Sequence, residues 1–204
     1  MKRMRSSETW VLLVALAVYP AIAQTPTPPA DPFVETGQIT LDGHSTPYLI
    51  RHLPVSSFPQ LPTAVQSELN RRGCLIPQTY EAHQPENVVH ASFERRGSSD
   101  WAVLCSSNGV VSLLVFFSSN SADPVVLATA SETQRLQSHG SNPVFGFNWA
   151  IDPASPQTVH EAQLGMRHPP PRLDHDALAD SVVDRRTIYR FYSHSTWTLV
   201  DTHD

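Results

Sequence analysis

The stretch Val88-Val-His-Ala-Ser-Phe-Glu-Arg-Arg-Gly-Ser-Ser-Asp-Trp-Ala-Val-Leu-Cys-Ser-Ser-Asn-Gly-Val-Val-Ser-Leu-Leu-Val-Phe-Phe117 carries the strongest β signal in the chain. Three apolar runs, Val88–Phe93, Asp100–Cys105 and Val110–Phe117, are cut by a Gly-Ser-Ser loop and by Asn108-Gly109. Asn-Gly supplies the positive-φ residues of a two-residue hairpin turn. The last run is apolar at nearly every position, as a central strand covered on both faces would be.

Working outward, Gln38–Leu41 and Tyr48–His52 flank Asp42-Gly43 and read as a second hairpin, with Pro47 pointing to a loop longer than two residues. Leu61, Val65 and Leu69 recur at helical spacing, with Pro62 in the first turn and Gly73 as the stop, so Pro62 to Arg72 reads as a helix. Pro124–Thr129 reads as a further strand, and residues 131–149 fit no single element. Ser155 as N-cap and Pro156 at the next position open a second short helix to about Met166. Thr187–Tyr192 and Thr196–Val200, around Ser-His-Ser, form a terminal hairpin. The expected class is α+β: an antiparallel sheet, two short helices and a C-terminal β-hairpin.

The N-terminus has the three parts of a secretory signal peptide. Lys2, Arg3 and Arg5 precede an apolar run from Trp10 to Tyr19, and Ala21-Ile-Ala23 supplies small residues for cleavage before Gln24. Such a run is too short to cross a hydrocarbon core, which needs about 20 residues. The expected organisation is a signal peptide at 1–23, a proline-rich tether at 24–32 and one globular domain over 33–204. Localisation follows as periplasmic or secreted, with no membrane span after cleavage.

Losing three cations and one anion (Glu8) with that leader moves the formal charge from −5 to −7. An acidic balance argues against nucleic acid as a partner. Of fourteen Lys and Arg, the leader removes Lys2, Arg3 and Arg5, leaving eleven arginines and no lysine. Schiff-base, P-loop and Ser-x-x-Lys chemistries are thereby excluded. Cys74 and Cys105 are the two cysteines. In an oxidising compartment they read as one disulfide, worth roughly 3–4 kcal/mol by loop closure; otherwise they are two buried thiols.

Residues with chemical potential are few. Asp174, His175, Asp176, Asp180 and Asp184 combine carboxylates with an imidazole and are candidate ligands for a divalent cation. If the segment is helical, Asp176, Asp180 and Asp184 share one face, which is also the pattern of an ordinary solvated helix side. His160-Glu161 with His168 lacks the spacing of a zincin helix, and no Gly-x-Ser-x-Gly elbow occurs. Trp101, Trp149 and Trp197, with Tyr189, Phe191 and Tyr192, could line a groove or pack a core. No cofactor motif is present.

Residues 87–117 resemble a single unit of the FG-GAP or VCBS-type repeat, in which a strand leads through an acidic glycine loop into a second strand. The loop here, Glu94-Arg-Arg-Gly-Ser-Ser99, keeps Glu94 and Asp100 as carboxylates and sets two arginines between them. The resemblance therefore implies the strand-loop-strand unit without the family's calcium loop, and its single copy implies no propeller. The whole chain is similar to a group of uncharacterised bacterial exported proteins through Arg72-Gly-Cys-Leu-Ile-Pro-Gln78, Asp100–Cys105, Asp174–Asp180 and Trp197. That similarity implies compartment and architecture. The functional expectation is an exported domain that binds a protein or glycan of the envelope without catalysis. The alternative is a metal-dependent hydrolase built on Asp174–Asp184.

Overall fold

The computed structural model describes residues 31–168 and 171–202. The expected signal peptide, and all of the tether up to residue 30, lie outside the described residues. The elements are β1 (Val34–Leu41), β2 (His44–Pro54), α1 (Thr63–Arg71), β3 (Leu75–Gln78), β4 (Val88–Ala91), β5 (Asp100–Ser107), β6 (Val110–Phe117) and β7 (Asn120–Ser131). There follow β8 (Leu136–His139), β9 (Asn142–Phe147), β10 (Trp149–Ala154), α2 (Pro156–Ala162), β11 (Ala177–Val182), β12 (Arg186–Ser193) and β13 (Thr196–Val200). Short 3-10 turns occupy Val55–Ser57 and Glu132–Arg135.

These strands form a nine-stranded sheet, in the order β7-β6-β5-β3-β2-β9-β8 with β1 on β2 and β4 on β5, and a four-stranded sheet β10-β11-β12-β13. The α+β expectation is thus corrected to a β-rich fold, because strands claim the segments left open between residues 131 and 149. The expectation of an antiparallel sheet is corrected too. The large sheet is mixed, since β2 runs parallel to β9, while the smaller sheet is antiparallel.

Alternation sorts the side chains into layers. On β5, Ala102 and Leu104 face a core shared with Ile50, Trp149 and Leu178, whereas Trp101, Val103 and Cys105 face a second core under α1. β6 splits in the same way, with Val111, Leu113 and Val115 on one side and Leu114 and Phe116 on the other. A third, smaller cluster puts Val159 of α2 against Ala177 and Ala179. The order is α1, large sheet, small sheet, α2.

Local chemistry explains most element ends. Gly73 at φ +69 closes α1, with its N–H on Asn70 O and the Cys74 N–H on Leu69 O, so two orphan carbonyls are satisfied. Ser155 accepts from Thr158 N at 3.1 Å and Pro156 opens α2, which ends at Ala162, short of Met166. The Asp42-Gly43 loop is two residues after all, since Leu41 pairs with His44 and Pro47 sits opposite Gln38 without opening it. The terminal hairpin is present as β12–β13. Cys74 and Cys105 are bonded, with Cα atoms 5.0 Å apart, which ties the end of α1 to β5.

Candidate functional site

The acidic segment Asp174–Asp184 does not form a helix. Its centre is β11, whose alternation turns Asp180 toward the inter-sheet core and Ala177 and Ala179 toward α2. Asp180 is buried, accepting from Trp149 Nε1 at 2.7 Å on one oxygen and from Arg190 on the other. Asp184 sits in the turn to β12, where it accepts from Tyr80 Oη at 2.8 Å. Burial first, and that bond second, push the Tyr80 pKa up to about 12. Asp174, His175 and Asp176 line a cleft of about 450 Å³ with Ser92 and Arg96. Each is committed: His175 faces Asp174 through Nδ1 and Tyr192 O through Nε2, and Asp176 accepts from Ser92 N. The five residues therefore serve three separate places.

The aromatic residues divide likewise. Trp101 lies under α1 and stacks on His90, while Trp149 is fully buried beneath the Arg135 guanidinium. Trp197 packs on Phe117 and Tyr192, and Tyr189 and Phe191 face α2. In the loop resembling the repeat unit, Asp100 is fully buried and accepts from Glu94 N and Ser118 N, so it acts as a latch between β4, β5 and β6.

A different constellation gathers Glu35, Tyr48, His52 and Ser106 on one face of the large sheet, with Glu132 from the turn after β7. The β1–β2 register places Glu35 opposite the fully buried Ile50, and strand parity puts Tyr48 and His52 on the same face. On β5, Ser106 continues the inward face of Ala102 and Leu104. Glu132 opens the 3-10 turn after β7, and its N–H bonds Gly109 O at 3.0 Å, which sets the turn over the end of the core. Among the described residues, Glu35, His52 and Glu132 form the group whose potential ligand atoms converge, all within 4.8 Å of one another.

Glu132 is the pivot. Its side chain is buried, and Oε1 faces His52 Nε2 at 2.7 Å and also receives the Ser106 hydroxyl. Its Oε2 is buried and has no hydrogen-bond partner. Burial alone would raise the Glu132 pKa, but the hydrogen bonds from His52 and Ser106 outweigh it and hold the carboxyl below its ordinary value. Glu35 is exposed at its edge and accepts from Tyr48 Oη at 3.0 Å. The Tyr48 ring lies across Gly37, where a Cβ would stand 2.6 Å from Oη, so glycine there lets tyrosine position Glu35.

A cleft of about 740 Å³ opens over this cluster, walled by Asn70–Gly73 of the α1 end and by Ser107–Gly109. Arg71 and Arg72 also line it, but both are drawn to Glu68, whose carboxyl they hold at about 2. The signal in the sequence was polar residues at strand positions whose parity is that of the core, His52 beside Ile50 and Ser106 beside Leu104.

No helix among the described residues is long and apolar enough to cross a membrane. No family model, curated protein or solved structure matches the chain.

Proposed function

We propose that the chain is an exported binding domain whose working surface is the cleft over Glu35, His52 and Glu132, and that its partner is a protein or glycan of the envelope or the exterior. The observation that carries this reading is an open polar cleft lined by Glu132, whose buried Oε2 has no hydrogen-bond partner. A buried carboxylate oxygen without a donor costs about 1–3 kcal/mol or more, so its retention suits a site completed by something that enters. Export is supported by the leader-like N-terminus and by the Cys74–Cys105 disulfide, which persists in oxidising compartments.

Two measurements test the reading. Expression of the full chain followed by fractionation and N-terminal sequencing is expected to yield a product outside the cytoplasm beginning at Gln24; a cytoplasmic chain beginning at Met1 overturns the export half. Immobilised domain is then exposed to envelope extract, and retained protein and glycan are identified by mass spectrometry. Asn70→Trp, which fills the cleft mouth from an exposed position, is expected to lower retention at least about tenfold, that is by about 1.4 kcal/mol. Equal retention by this variant overturns the cleft half.

A further inference from the structure

We infer that Glu35, His52 and Glu132 form a binding site for a first-row divalent metal ion, with the open cleft supplying its remaining ligands. The inference deepens the cleft reading, and rests on it only for the ion's use; the site stands on its own geometry.

Three observations carry it. The donor atoms come from three different elements, β1, β2 and the turn after β7, yet all lie within 4.8 Å of one another. Three protein donors with a fourth position open to water is the arrangement of accessible zinc sites, and two carboxylates with one imidazole suit first-row divalent ions. Calcium is a poorer fit, because it takes six to eight oxygens and gains little from an imidazole.

Second, the orphan is in the right place. Glu132 is only 2% exposed, and its Oε2 has no donor while the Glu35 carboxylate stands close by. Two carboxylates facing each other either share a proton or take up a cation. The cleft arginines do not supply it, since Arg71 and Arg72 are held by Glu68. A metal ion would satisfy Oε2 and neutralise the pair at once.

Third, both carboxylate donors have an outer partner. Ser106 Oγ donates to Glu132 Oε1 and Tyr48 Oη donates to Glu35 Oε1. Such second contacts aim metal ligands and raise their affinity. On binding, the ion takes the place of the proton between His52 Nε2 and Glu132, and that proton passes to Nδ1 or to solvent.

The test uses the purified domain stripped with a chelator and titrated with Zn²⁺ by calorimetry, with Co²⁺ as a spectroscopic stand-in. One equivalent of Zn²⁺ is expected to bind saturably, and Co²⁺ to give a visible ligand-field band. Glu35→Gln, at an exposed position, and the isosteric Glu132→Gln are each expected to weaken Zn²⁺ binding at least about tenfold with circular dichroism unchanged. Ser106→Ala is expected to weaken it about tenfold through the outer contact. No saturable Zn²⁺ uptake overturns the inference, as does uptake of equal affinity in Glu35→Gln and Glu132→Gln, which would place the ion on other histidines. The two proposals fail separately. A domain that binds no Zn²⁺ but loses its envelope partner in Asn70→Trp loses the metal site and keeps the cleft; one that binds Zn²⁺ and retains the partner equally in Asn70→Trp does the reverse.

Discussion

Two of the buried carboxylates, Asp180 and Glu132, are treated in opposite ways. Asp180 accepts from Trp149 Nε1 on one oxygen and from Arg190 on the other, so every lone pair that counts is used. Glu132 crowds His52 and Ser106 onto Oε1 and leaves Oε2 buried and bare. The first arrangement closes the core with a neutralised, hydrogen-bonded ion pair. The second leaves the core ending in a cleft with a donor missing. Full satisfaction is the mark of a structural acid, and its absence at a comparable depth marks an acid kept for a partner.

The open end is the less self-sufficient, and a covalent tie stands beside it. Cys74 follows directly on Gly73 at the cleft wall and is bonded to Cys105, the neighbour of Ser106. Replacing both cysteines by serine is expected to remove roughly 3–4 kcal/mol of folding stability on the loop-closure estimate. Urea denaturation at fixed pH measures it; a loss below about 1 kcal/mol would mean that the cleft wall is held by packing alone.

At the closed end, Asp180→Ala strips the partner from Trp149 Nε1 and Arg190 together. Breaking one side of a buried pair costs about 3–5 kcal/mol, and the partly solvated Arg190 places the expected loss near the lower bound, about 3 kcal/mol. Glu132→Gln is expected to behave differently. The amide keeps an acceptor for His52 and Ser106 and can turn its NH₂ toward Glu35, so stability should stay within about 1 kcal/mol of wild type or rise. If the glutamine costs as much as Asp180→Ala, the contrast between a structural and a vacant acid collapses.

What could be read from the sequence follows the range of the forces involved. Asp42-Gly43 and Asn108-Gly109 place positive φ at both turn positions, and the Leu61, Val65, Leu69 stripe with Gly73 describes α1 almost to the residue. These signals are local. Residues 131–149 defeated local reading because β8 is four residues long and pairs with β9 through an irregularity, so only the sheet decides its conformation. Ala177-Leu-Ala-Asp180 has the composition of a helix, yet pairing with β10 on one edge and β12 on the other makes it a strand. The acid-rich segment was visible because its residues are adjacent in sequence, and adjacency is what β structure disperses. Glu35, His52, Ser106 and Glu132 are far apart in sequence and share no motif; register and parity bring the first three together, and the turn tied to Gly109 O adds Glu132. Asn87 was equally hidden: at φ +68 it bonds Pro77 O, Trp149 O and Ile151 N, joining the two sheets from a loop.

The smallest expected effect separates burial from mere pairing. Glu132 and Glu68 both titrate below the ordinary value, Glu68 at about 2. For Glu68 the cause is hydrogen bonding from Arg71 and Arg72 at the surface; for Glu132 burial works against the shift and His52 and Ser106 overcome it. Both carboxyls are depressed in the folded state, so each contributes stability above its unfolded value, near 4.5, that is lost as the pH falls through the folded one. Salt should tell them apart. At an ionic strength of about 1 M the screening length falls to about 3 Å, which weakens a solvated pair far more than a buried one. Carboxyl-carbon NMR titration in low and high salt is therefore expected to move the Glu68 midpoint back toward 4.5 and leave the Glu132 midpoint nearly in place. If the two midpoints move together, Glu132 is as well solvated as Glu68, its Oε2 is satisfied by bulk water, and the contrast with Asp180 no longer marks a site.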